Sequence, residues 1–280
     1  MNKLNKKNMK KTIKNVGEVT NHIVKWLKNY IEQSGAKGFT IGVSGGIDSA
    51  VTSTLCAKTG YPVVVVEMPI HQSEDQVNRA QDHIAWLKSK YSNVDEMRLD
   101  LTDAYDTFVN LLDLNGGNKK LALANTRSRL RMVSLYAVAN DMSYLVCGTG
   151  NKVEDMGIKF FTKYGDGGVD ISPIGDLLKS EVYLLGESMG IIDEILSCEP
   201  SDGLWTGMGE GSQTDADQIG ATYDELEWAM DFLEDNEFEK NSEILSDREK
   251  EVLKIYLDRH KSGEHKMEMP PICLIPNKYG

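Results

Sequence analysis

The sequence is poor in cysteine, and the four it has, Cys56, Cys147, Cys198 and Cys273, form no C-x-x-C pair. That spacing argues against a zinc site or a disulfide framework. Cys56 and Cys147 lie in apolar stretches and read as core thiols of a reducing, cytoplasmic setting. No apolar run approaches the length of a membrane helix. A basic surplus is also missing: the formal net charge is −12, against the positive field that generic nucleic-acid binding needs. An anionic ligand must therefore be met by a few placed cations. The start, MNKLNKKNMKKTIKN, is basic but has no apolar h-region behind it, so no secretory signal is expected. Residues 1–15 read as a solvated basic arm, with a contact to an anionic partner as the alternative.

What is present is a regular alternation of element signals. Apolar residues from Ile13 to Ile31 recur at helical spacing. GFTIGVS reads as a buried strand and Ile47 to Lys58 as a helix. YPVVVVEMP has the continuous apolar character of a strand buried on both faces, as in a parallel sheet. Ser73-Glu74-Asp75-Gln76 matches a capping box opening a helix to about Tyr91. DEMRLDL is a shorter strand, followed by a short helix around Tyr105 to Leu112. A long helix spans roughly Lys119 to Asn140 and leads into the strand SYLVCGTG. Four strands alternating with helices predict parallel βαβ units in a doubly wound sheet. Residues 151–175 lose periodicity and read as a functional loop. Helices are expected over Leu177 to Met189, Asp217 to Leu233 and Asp247 to Arg259, with a glycine-rich, mobile stretch over 200–215. No repeat or linker is evident, so 1–280 is expected to be one α/β domain with a helical C-terminal elaboration.

The stretch IGVSGGIDSAV carries the first chemical signal. Ser44 to Ser49 falls at the carboxyl end of a strand and the start of a helix, where doubly wound sheets bind ligands. Glycines there let backbone amides approach an anion, and the helix N-terminus favours it. The lysine of a Walker A loop is absent. An acid, Asp48, stands nearby, which makes sense beside phosphates if a hard cation such as Mg²⁺ bridges the two. Taken alone, Gly-Gly-x-Asp is equally a tight strand–helix turn with a first-turn acid.

The complete string S-G-G-x-D-S resembles the signature of the ATP pyrophosphatase (PP-loop) family. There the loop holds the β,γ-pyrophosphate of ATP and leaves the α-phosphorus open. GTGNKVED (148–155), FFTKYGDGGVDISPIGDLLKSEV (160–182), NTRSRLRM (125–132), PSDGLW (200–205) and EHK (264–266) then follow in the order seen in ammonia-dependent NAD synthetases. The resemblance runs from about residue 20 to the C-terminus. It implies a Rossmann-like adenine-nucleotide α-hydrolase fold, with a parallel sheet flanked by helices. It further implies a homodimer and a two-step reaction. The nicotinate carboxylate of deamido-NAD attacks ATP, releasing pyrophosphate, and ammonia displaces AMP from the acyl adenylate.

By the same resemblance Gly42, Val43, Ser44, Gly45, Gly46, Ile47, Asp48 and Ser49 contact ATP, with Thr149 and Ser201. Asp48 and Glu154 hold Mg²⁺. Lys179 contacts the phosphates; as a first-turn surface lysine it would be badly placed against the helix dipole. Arg129, Lys163, Asp170, His265 and Lys266 bind the dinucleotide, with Arg127 and Arg131 left for ion pairs or the dimer surface. Asp166, between Lys163 and Asp170, is a candidate to position ammonia or take its proton. Met132, Leu135 and Val138 read as core, His71 and His83 as structural or exposed, and His22 and His260 as helix-surface residues. The segment from Trp205 to Thr214 is longer than the family pattern.

Three rivals are weaker. A glutamine-dependent synthetase carries an amidohydrolase domain for which this length leaves no room, so the expected nitrogen source is free ammonia or ammonia from a separate partner. A tRNA-modifying PP-loop enzyme would carry basic or paired-cysteine elements. A nucleotide sensor on a degenerate loop would have lost Asp48, Glu154 or Lys179.

Overall fold

The computed structural model describes residues 13–201, 203–204, 214–234 and 245–275. Four parallel strands stand in the order β3-β2-β1-β4, with β1 at Phe39–Gly42, β2 at Val63–Glu67, β3 at Val94–Arg98 and β4 at Leu145–Val146. Phe39 sits opposite both Val63 and Leu145, and Val63 opposite Val94. The valine run of β2 is buried throughout, as its composition predicts. In the edge strand β3 only Val94 is buried. Its exposed Glu96 and Arg98 pair with Lys88 and Glu67, and such charges guard an open edge.

Helices cover the sheet in the expected order: α1 Val16–Ser34, α2 Ile47–Ala57, α3 Glu74–Lys90, α4 Thr102–Asn110 and α5 Lys119–Met142. α1 starts three residues later than its apolar pattern suggests, because the Asn15 carboxamide caps the Glu18 amide. It buries Ile23, Leu27 and Ile31, four residues apart, in the main core against α2 and α6. The Ser73 hydroxyl caps α3 as its sequence predicts. α4 begins at Thr102, not Tyr105, because the Asp100 carboxylate takes the Thr102 amide.

The C-terminal elaboration comprises α6 Lys179–Met189, α7 Asp193–Leu196, α8 Asp215–Ile219, α9 Tyr223–Glu234 and α10 Asp247–Gly263. The expected helix over Asp217 to Leu233 is two helices. Gly220 leaves the helical region at φ 87°, and a Thr222–Glu225 capping box restarts the chain as α9. α8, α9 and α10 with residues 153–160 form a second cluster around Val153, Leu226 and Tyr256, while α6 and α7 pack through Val182, Leu185 and Ile195 into the main core. The segment 151–175 is not a plain loop. Lys152–Gly157 forms a π-helical turn capped by Asn151, and Ile171 bridges Cys147 at the sheet margin.

β1 and β4 are adjacent, but the chain leaves them toward opposite ends of the sheet order, which makes their carboxyl ends the switch point where α/β sheets bind ligands. Ser44–Asp48 follows one strand and Gly148–Glu154 the other.

Candidate active site

The loop after β1 is folded around one hydroxyl. Ser49 is buried; its Oγ donates to the Gly46 carbonyl at 2.9 Å and accepts the Ser44 amide at 3.2 Å. Gly45 has φ 80°, and a Cβ there would lie 2.7 Å from the Gln76 carbonyl. Only glycine lets α3 press so close to the loop. The first-turn amides of α2 have no carbonyl one turn back, so they are available to an anion.

Where β1 and β4 end, three charges meet. The Lys179 ammonium, on a side chain 4% exposed, lies 2.6 Å from Asp48 Oδ2 and 2.8 Å from Glu154 Oε1. The Asn151 amide group donates to Asp48 Oδ1 at 3.1 Å, and its carbonyl accepts the Glu154 amide at 3.1 Å. The Tyr223 hydroxyl reaches Glu154 Oε1 at 2.5 Å and Asp215 Oδ2 at 2.9 Å, and its ring centroid lies 4.7 Å from the ammonium. Lys179 is thus not a surface residue: as the first residue of α6 it points inward because two carboxylates hold it. Burial works against its charge, but Asp48 and Glu154 outweigh burial and raise its pKa. Burial likewise pushes Glu154 up, yet Lys179 and the Tyr223 hydroxyl bring it below its usual value. For Asp48, burial prevails over Lys179 and the carboxyl is raised. Burial, with Glu154 next, holds the neighbouring Asp155 well above the carboxylate range.

The segment 159–168 forms the opposite wall. Asp166 Oδ1 accepts the Ser128 hydroxyl at 2.5 Å and the Thr162 amide at 3.0 Å. The residue keeps an exposed edge, but the crowding around its carboxyl raises its pKa by desolvation. Arg129 donates to the Lys163 carbonyl at 3.3 Å. The Lys163 ammonium binds the carbonyls of His265 and Glu268. Lys266 donates to the carbonyls of Lys159 at 2.8 Å and Phe161 at 2.7 Å. Residues 265–268 are thereby tied to this loop by two lysines. A Cβ at Gly167 would lie 2.4 Å from the Phe161 ring.

One cavity of about 670 Å³ is lined by every sequence-predicted site residue except Asp170. The Asp170 carboxylate is engaged elsewhere, by the Tyr136 hydroxyl at 2.9 Å and the Val146 amide at 2.8 Å. Met132 and Leu135, expected in the core, line the cavity, although Leu135 also packs against the β2 valines with Val138. Arg127 is not on a surface. It is buried, donates to the Leu204 carbonyl at 2.5 Å and lies 5.0 Å from the Tyr105 ring. Arg131 binds the Met68 carbonyl at 3.0 Å and Gln72 Oε1 at 2.9 Å. His83 is buried against Ser53, and His260 is half-buried with Nδ1 2.6 Å from the Gly157 carbonyl. The sulfurs of Cys56 and Cys147 lie 3.5 Å apart in the core as free thiols. Trp205 and the residues to 213 lie outside the described residues, as does most of the basic arm.

Sequence reading missed Gln72, Ser128, Asn151 and Tyr223, and also Arg79, whose Nε donates to the Gly45 carbonyl at 3.4 Å. Asn151 was legible, since Asn-x-x-Glu before an acidic turn is a capping pattern. Tyr223, 69 residues from Glu154 in the chain, offers no local signal.

Asp48 and Glu154 present two hard oxygens to a single cation, the donor chemistry that suits Mg²⁺. Among the described residues no group of three or more His, Cys, Asp or Glu could hold a metal. The remaining ligands would have to be phosphate oxygens and water.

The NAD synthase family profile matches residues 19–270. An NH(3)-dependent NAD(+) synthetase from Sulfurisphaera tokodaii is 37% identical over 276 residues, covering 96% of this chain and 93% of that protein. Among solved structures, an NMN synthetase from Francisella tularensis superposes with a TM-score of 0.77 at 32% identity, covering 94% of this chain and 99% of that one. An NH3-dependent NAD synthetase from Campylobacter jejuni superposes at 0.74 with 24% identity, covering 93% and 100%, which supports the fold.

Proposed function

The chain belongs to the NAD synthase family, and from that premise we propose that it amidates deamido-NAD to NAD with ammonia and ATP, releasing AMP and pyrophosphate. It is a ligase forming a C–N bond. The observation that carries the reading is the single cavity in which the α2 amides, the Asp48–Glu154–Lys179 cluster and the Asp166 loop face one another.

Each wall has a task. The loop Gly42–Ser49 and the α2 N-terminus take the β,γ-phosphates, where amide dipoles favour the charge that grows on departing pyrophosphate. Thr149 and Ser201 line the nucleotide's side of the cavity. Asp48 and Glu154 would hold Mg²⁺, which when bound would supply positive charge to the phosphates. Lys179 adds a cation to the same end. Arg129, Lys163, His265 and Lys266 bind the dinucleotide. They orient its nicotinate carboxylate toward the α-phosphorus; such positioning is a large part of what an enzyme contributes to a bimolecular step. Asp166, fixed by Ser128 and the Thr162 amide, positions ammonia or takes the proton it sheds on attacking the acyl carbon. Asp170 acts at one remove, by holding β4 and Tyr136. Residues 1–280 form one cytoplasmic synthetase domain that works as a homodimer.

One observation favours a second reading. The 32% identical Francisella tularensis structure is an NMN synthetase, which points to nicotinate mononucleotide as the acceptor, with the same carboxylate chemistry. The two are separated by incubating the protein with Mg-ATP and either deamido-NAD or nicotinate mononucleotide, each with ammonium or glutamine. NAD, AMP and pyrophosphate in equal amounts from ammonium alone is the expected result. Preference for the mononucleotide establishes the second reading, and ADP with phosphate excludes both. An Asp166→Asn variant normal in both adenylation and amidation removes the Asp166 role.

A further inference from the structure

Lys179 occupies the place between Asp48 and Glu154 that the proposed function gives to Mg²⁺. Its Nζ bonds both carboxylates, at 2.6 and 2.8 Å, inside a side chain only 4% exposed. The two acids are fixed from behind. The Asn151 side chain donates through its NH2 to Asp48 and accepts the Glu154 amide on its Oδ1, and the Tyr223 hydroxyl holds Glu154 Oε1. A divalent ion bound to the same oxygens would sit within a few ångströms of the ammonium, and like charges at that range in a low-dielectric site repel strongly. The two cations therefore exclude each other. Of the groups present the lysine is the one free to move, since four methylenes separate its charge from the backbone. The α6 N-terminus disfavours a cation nearby, so the two carboxylates, with the face of the Tyr223 ring 4.7 Å away, keep it there. The phosphate-binding loop lines the same cavity.

We propose that Lys179 is a stand-in cation: its ammonium fills the seat between Asp48 and Glu154 in the metal-free protein and transfers to the nucleotide's phosphates when magnesium enters with ATP. The exchange keeps two partly buried carboxylates paired at every stage. It also makes metal entry depend on the nucleotide, because the displaced ammonium needs an anion to receive it. The inference rests on the reading of Asp48 and Glu154 as magnesium ligands.

The test is thermal melting of full-length protein in magnesium without nucleotide, for wild type, Lys179→Met and Lys179→Met/Glu154→Gln. The wild type is expected to show no shift with millimolar Mg²⁺. Lys179→Met is expected to rise by several degrees, by selective binding to the folded state, and the added Glu154→Gln to abolish the rise. A Lys179→Met protein that folds only with Mg²⁺ present is the same result in stronger form. Contradiction comes from a Lys179→Met protein no more responsive than wild type, from one that folds in neither buffer, or from a wild type that responds to the metal alone. In parallel, wild-type affinity for a non-hydrolysable ATP analogue is measured with and without magnesium. No gain from the metal removes the magnesium assignment itself. A gain there, with no metal response in Lys179→Met, removes only the exchange.

Discussion

Tyr223 shows how much of this site depends on single hydroxyl groups remote in sequence. Its O–H reaches Glu154 and Asp215, and burial, with Glu154 next, drives its pKa far up, so it remains a donor at all working pH values. Tyr223→Phe removes a hydrogen bond to a charged group, worth roughly 2 kcal/mol. We expect kcat/KM to fall by about tenfold or more and the magnesium concentration for half-maximal rate to rise, both read from a metal titration of initial rates. A second residue-level effect concerns pH. His83 is buried against Ser53, and burial lowers its pKa from 6.5 to about 4. Its folded form therefore resists a proton that the unfolded chain accepts. Between pH 6.5 and about 4 this costs the fold up to about 3 kcal/mol, the loss growing as pH falls. Denaturant melts at pH 7 and 5 should show a flatter pH dependence for His83→Gln than for wild type. The glycine loop, Glu154 and Lys179 were legible because their neighbours in sequence carry the signal. Tyr223, Ser128 and Gln72 were not, because each joins the site only through a partner brought up by the fold.

At the level of elements, the loop after β1 depends on its contact with α3. Gly45 combines φ 80° with a Cβ position 2.7 Å from the Gln76 carbonyl and 3.0 Å from the Ala80 amide. Gly45→Ala meets backbone on both sides and should cost about 1–3 kcal/mol. It should weaken ATP binding further as the loop is pushed off α3, checked by denaturant melts and a nucleotide titration. The four strands and their parallel sense, though not their order, were readable from apolar runs and spacing, β2 most plainly because its valines are buried throughout. Helix boundaries were not, where a side chain redirected the ends: Asn15 delays α1, Asp100 advances α4, and Thr222 with Glu225 restarts the chain after Gly220. Each is a capping contact whose competition with the helix pattern is settled by a single hydrogen bond. The turn at 152–157 was read as loop because one π-helical turn is too short to show periodicity.

The whole molecule leaves Phe108 (44% exposed), Leu111 (79%), Leu121 (51%) and Val133 (58%) uncovered on α4, α5 and the segment between them, and Ile272 and Leu274 uncovered near the end of the described chain. This much exposed apolar surface fits the proposed homodimer, and sedimentation equilibrium should report about twice the 31.2 kDa chain mass. Nothing in the local sequence marks these residues out, because apolar side chains at such spacing are ordinary in amphipathic helices. The chemistry, by contrast, is a property of the assembled cavity, and it turns on activation of the substrate carboxylate by transfer of AMP. The most direct measurement is to supply deamido-NAD labelled with ¹⁸O in its nicotinate carboxylate, with Mg-ATP and ammonium, and to analyse the products by mass spectrometry. One ¹⁸O atom is expected in AMP and none in pyrophosphate. Label in inorganic phosphate with ADP formed, or unlabelled AMP alongside NAD, would contradict this.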